Sequence, residues 1–123
     1  MANPAVAQYE WHADWGLTLA RPFVWNDEDG DPITVTTYEA TLTIRRSYNT
    51  APVLTATSDP ADGITVGTTD GKFTVNVAAA DMEIGNRYTD QQFVYDIVVD
   101  TGGGSLTKLV EGDFILHATA FED

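Results

Sequence analysis

The sequence predicts an all-β chain: a single antiparallel β-sandwich behind an extended N-terminal arm. Three observations lead there. Apolar and polar residues alternate at period two along most of the chain, which turns one side of each segment toward a core. Clusters of Gly, Pro, Asp, Asn and Ser recur at spacings of roughly 8–12 residues, the rhythm of turns between short strands. No stretch carries the 3.6-residue repeat of a long helix.

Each element follows from local chemistry. Residues 1–14 read as the arm, because Asn3-Pro4 breaks regular structure and Tyr9 and Trp11 lack periodic context. Residues 15–123 form the sandwich. Trp15, Leu17, Leu19, Arg21, Phe23 and Trp25 share one face of an extended segment. Pro22 makes that segment a sheet edge or bends it in two. Asn26 to Pro32 is a dense turn with Asp29-Gly30 at its tip. Ile33 to Val35 resume an extended path. Tyr38, Ala40, Leu42 and Ile44 then face one way, and Glu39, Thr41, Thr43 and Arg45 the other, in the cleanest strand of the chain. A loop at 46–52 leads to short strands at Val53–Thr57 and Ile64–Val66, with turns at Asp59-Pro60 and Asp62-Gly63 between them. After the turn Thr69-Asp70-Gly71, the side chains of Phe73, Val75 and Val77 point to the core. Ala78 to Ile84 is the one helical candidate, a single turn stopped by Gly85. Gln92 to Thr119 form the closing hairpin around Gly102-Gly103-Gly104-Ser105.

Composition narrows the function. The 123 residues make one domain, and the chain has no cysteine for a disulfide or thiolate metal site. Nineteen acidic residues against six basic ones give a net charge of −13. Such a chain repels phosphate backbones and anionic lipid, so neither nucleic acid nor a membrane surface is an expected partner. No apolar run has the length of a bilayer span, and the first residues lack the basic and apolar regions of a secretory signal. The expected site of synthesis is the cytoplasm.

Candidate chemistry is sparse. Asp27, Asp29 and Asp31 surround Gly30 and are weak candidates for a cation, since alternating carboxylates in a glycine turn can supply oxygens. The spacing departs from that of a helix–loop–helix calcium loop, and a solvated turn explains it as well. His12 and His117 are far apart in the chain, and His117 is expected on the exposed face of the last strand. No nucleophile elbow, zinc-protease motif or phosphate loop is present, and the triple glycine leads into a strand rather than a helix. No catalytic residue, cofactor or small-molecule substrate is expected, and the chain is not read as an enzyme. Trp15 and Trp25 read as core. Tyr9 and Trp11, outside the periodic region, read as anchors on a neighbouring subunit.

Three stretches, in order, resemble one family of tailed-phage virion proteins, the N-terminal domain of the baseplate upper protein and small tail-fibre adaptors. The first runs from Trp15 through Trp25 and the acidic turn into Thr37-Tyr38-Glu39-Ala40 and Ile44-Arg45. The second runs from Asp62-Gly63-Ile64 through Val77 to Met82. The third is the hairpin, with Tyr95-Asp96-Ile97-Val98-Val99 before the turn and Lys108-Leu109-Val110-Glu111-Gly112 after it. The chain departs from the family where Thr37 stands before Tyr38 in place of a glycine. The resemblance implies an immunoglobulin-like sandwich that docks at the tail tip or baseplate and holds fibres or receptor-binding parts. It implies partners among other tail proteins and copies of itself, and a place in the virion. A capsid head decoration protein and a host-surface carbohydrate-binding module are the alternatives. On this reading, removing residues 2–14 leaves a folded domain that fails to join its assembly.

Overall fold

A computed structural model describes residues 7–58, 61–102 and 104–119. The strands are β1 (Ala7–Gln8), β2 (Trp11–Asp14), β3 (Leu19–Val24), β4 (Glu39–Arg45), β5 (Pro52–Ser58), β6 (Ala61–Asp62), β7 (Ile64–Val66), β8 (Lys72–Val77), β9 (Gln91–Asp100) and β10 (Leu106–His117). One turn of 3-10 helix, Ala79–Met82, links β8 to β9. Among the described residues no helix is long and apolar enough to cross a membrane.

The strands form two sheets. The larger runs β1-β10-β9-β4-β5-β6, with β2 continuing the β1 edge along β10, and the smaller runs β3-β8-β7. The sheets close on one apolar core. Ala40, Leu42 and Ile44 of β4, Phe93, Tyr95, Ile97 and Val99 of β9, and Phe114 and Leu116 of β10 face Leu19, Ile64, Phe73, Val75 and Val77. Alternation makes this possible, because each strand shows one side to the other sheet and one to solvent. The order β10-β9-β4-β5 against β3-β8-β7 is that of an immunoglobulin-type sandwich.

Most expected elements are present. Pro22 lies on β3, an edge strand, where a missing N–H is tolerated. The acidic turn closes through an Asn26–Pro32 bridge with Gly30 at φ +85°. The helical candidate is a single 3-10 turn. Asp59 and Pro60 lie outside the described residues. Two local readings change. The first extended segment begins at Leu19 rather than Trp15, because Gly16 at φ +72° turns the chain first. Ile33 to Val35 form no strand; buried Val35 instead donates its N–H to the Thr68 carbonyl at 2.7 Å.

The largest correction concerns the arm. Residues 7–14 are not a free extension but two strands, β1 and β2, paired with β10. That pairing is parallel, so the sandwich is antiparallel except along this edge. Trp11, expected as an outward anchor, is 3% exposed. Its ring meets Phe23, Tyr95 and Phe114 edge to face at centroid distances of 5.3, 5.3 and 5.5 Å. Burying so large a ring is a dominant local contribution. Tyr9 is half-buried, its ring under the Arg21 guanidinium at 4.2 Å. Deleting residues 2–14 therefore strips the core as well as an edge, and cannot be read as removal of a docking arm alone.

Candidate functional site

The edge where the first and last strands meet gathers most of the molecule's side-chain chemistry. It starts from the hairpin. A register shift between Lys108 and Val110 marks a bulge in β10. Residues three apart on a regular strand point to opposite faces; the extra residue puts Lys108 on the same face as Glu111. Lys108 Nζ lies 2.9 Å from Glu111 Oε1 and 3.8 Å from Asp96 Oδ2. Asp96 and Glu111 are register partners, an unfavourable opposition of like charges that the ammonium relieves. The hydrogen bond to Glu111 raises Lys108 above its ordinary pKa, and the same bond, with one from Gln8, lowers Glu111.

The neighbouring residues hold the N-terminal segment. Tyr95 sends its hydroxyl out of the core to donate to the Tyr9 carbonyl at 2.7 Å, and burial pushes that hydroxyl's pKa up. Tyr9 N–H donates to the Glu111 carbonyl at 3.1 Å, and the Gln8 amide donates to the Glu111 carboxylate at 3.0 Å. Gly112, the register partner of Tyr95, lets the Tyr9 backbone approach so closely that a Cβ would collide with its carbonyl oxygen. Tyr95, Lys108, Glu111 and Gly112, four of the ten hairpin residues that carry the resemblance, lie where residues 8–9 dock.

Further along the same edge stands a chain of four side chains. His12 Nδ1 lies 2.8 Å from His117 Nε2. His12 Nε2 lies 2.7 Å from Glu10 Oε2, and His117 Nδ1 lies 3.3 Å from Asp90 Oδ2. The other Asp90 oxygen accepts the Ala118 N–H at 2.8 Å. That backbone bond, followed by the one to His117, lowers the Asp90 pKa. The rings are 12° from parallel with centroids 5.0 Å apart. That separation exceeds the N···N distance by about two ring radii, so the imidazoles lie end to end in nearly one plane. Sequence places His117 on an exposed face and His12 in the arm, and could not pair them, since they are 105 residues apart.

The remaining predicted residues stay apart. Asp27 Oδ1 accepts the N–H groups of Asp29 and Asp31 at 2.9 and 3.0 Å, so this carboxylate caps its own turn. Asp29 and Asp31 are exposed there. Among the described residues no three His, Cys, Asp or Glu side chains converge to hold a metal ion. Trp15 and Trp25 are buried, as expected of core residues. Tyr48 is 58% exposed near the Glu111 carboxylate, and burial and that charge raise its pKa. These features define a cysteine-free immunoglobulin-type sandwich whose N-terminal strand is clasped to its last one. Compared with known proteins, the sequence matches no family model and no curated protein.

Proposed function

We propose that this chain is a structural virion protein of a tailed bacteriophage, a tail-tip or baseplate component that holds fibres or receptor-binding parts. The observation that carries the proposal is the convergence of the resembling residues. Tyr95, Lys108, Glu111 and Gly112 are not scattered across the sandwich but form one seat for the N-terminal strand. The first two resembling stretches contain β3, β4, β7 and β8.

Charge supports a part that binds other proteins. Among the cations, Lys108 pairs with Glu111, while Arg21, Arg46 and Arg87 lie over aromatic rings. With nineteen acidic residues against six basic ones, negative charge dominates and suits a basic neighbour. The reading assigns no catalytic role. A carbohydrate-binding module is less favoured, because Trp11, Trp15 and Trp25 are buried and provide no open stacking platform.

Localising and counting the chain in purified particles by electron cryo-microscopy and mass spectrometry tests the proposal. A ring of few copies at the tail tip is the expected result. Hundreds of copies on the head would make it a decoration protein, and absence from particles would overturn the virion assignment.

A further inference from the structure

The facing imidazoles of His12 and His117 pose a problem of charge. Ionised Glu10 and Asp90 can only accept, so His12 Nε2 and His117 Nδ1 must each carry the hydrogen toward its carboxylate. In neutral rings, His12 Nδ1 and His117 Nε2 then both present lone pairs. Two lone pairs 2.8 Å apart repel unless a cation lies between them.

We propose that His12 and His117 form a two-histidine seat for a borderline-soft divalent cation of the zinc class. Four features point this way. Imidazole nitrogen is a favoured ligand for this class of ion, and each ring here donates its far N–H to a carboxylate, the arrangement that fixes tautomer and raises ligand basicity. Asp90 is itself held by the Ala118 N–H, so its side of the chain is anchored to backbone. The ligands come from adjacent strands, His12 on β2 and His117 on β10, so the sheet presets their separation. Asp14, the register partner of His117 and on the same strand face as His12, adds negative charge that favours a cation without completing a third ligand.

Binding an ion requires a local rearrangement of both rings. Two nitrogens bound to tetrahedral zinc lie roughly 3.3 Å apart. The rings must therefore separate by about half an ångström and tilt so that their lone pairs meet on the solvent side. The side chains of His12 and His117 are 49% and 38% exposed, which leaves room for that motion. With two protein ligands, water completes the shell. Bound there, the ion would tie β2 to β10 and stabilise the folded chain in proportion to its occupancy.

The test is titration of the full chain with zinc, and with magnesium as the oxygen-preferring control, followed by calorimetry and by NMR of the imidazole nitrogens. We expect one zinc per chain, shifts at His12 Nδ1 and His117 Nε2, and no such shifts with magnesium. His12→Gln and His117→Gln should each weaken zinc at least tenfold, and Glu10→Gln by about tenfold. The three side chains are at the surface, so melting of each variant without zinc should show the fold retained. Absence of saturable zinc binding would overturn the proposal. So would binding that both histidine variants leave unchanged, because the ion would then sit on carboxylates elsewhere.

Discussion

The two edges of the large sheet are closed in different ways. At one, β6 doubles back on β5 with the single register pair Ser58–Ala61, supplemented by a Thr57–Gly63 bridge. The partners are a few residues apart, so little loop entropy opposes the contact. At the other, β1 and β2 lie along β10, and the tying hydrogen bonds join residues 86 to 105 positions apart. That edge needs side chains as well as backbone: the Trp11 ring in the core, the Tyr95 hydroxyl on Tyr9, and the space left by Gly112. An edge strand left open invites pairing with another chain. A short return of chain suffices at the first edge, whereas the second depends on a seat built by the hairpin.

Substitutions can break this contrast. Trp11→Ala should have the largest effect, costing about 3–5 kcal/mol in chemical denaturation, because a buried aromatic is replaced by a cavity. A loss under 1 kcal/mol would mean that the edge is not packed as described. Gly112→Ala should cost about 1–3 kcal/mol through overpacking, and should speed hydrogen exchange at the Tyr9 amide. The matching change at the other edge, Gly63→Ala, meets Ala56 Cβ at 2.8 Å and a φ of +99°. It should cost about 2–4 kcal/mol for the left-handed backbone and the collision together, and leave Tyr9 exchange unchanged. If both glycine variants expose the Tyr9 amide equally, the two edges are not independent.

Smaller effects sharpen the comparison. Tyr95→Phe keeps the ring and loses one hydrogen bond, an expected cost of about 0.5–1.5 kcal/mol in the same denaturation measurement. Acid sensitivity should also concentrate at the N-terminal edge. Asp90 and Glu111 have lowered pKa values in the folded chain, so their contribution is present above the ordinary carboxylate range. It is lost as pH falls through their folded values. Asp90→Asn and Glu111→Gln should flatten the acid limb of a melting-temperature profile, each slightly, as exposed pairs do. Lys108 has a raised pKa, so its share is present below the ordinary lysine value and fades as pH rises through the folded one.

Much of the fold was legible because burial on a strand is a local property. Ala40, Leu42 and Ile44 alternate with Thr41, Thr43 and Arg45, and any sheet that buries one set exposes the other. Pro22 indicated an edge, and Gly30 and Gly71 marked turns that the structure contains. The site was less legible. Tyr95, Glu111 and Gly112 were noticed as wording, with no sign of what they touch. His12 and His117 are far apart in the chain, and nothing local signals that they meet. Trp11 was misread because a four-residue strand shows too little alternation to reveal its buried face.

By itself, then, the sequence determined an acidic, cysteine-free chain of short strands that must pack as a sandwich, since period-two alternation and turn residues act within a few positions. Tertiary structure alone decided that residues 7–14 join β10 in parallel, that Trp11 enters the core, and that two histidines meet between two carboxylates. Those outcomes rest on partners roughly a hundred residues apart, whose approach depends on how the sheets close rather than on any local pattern.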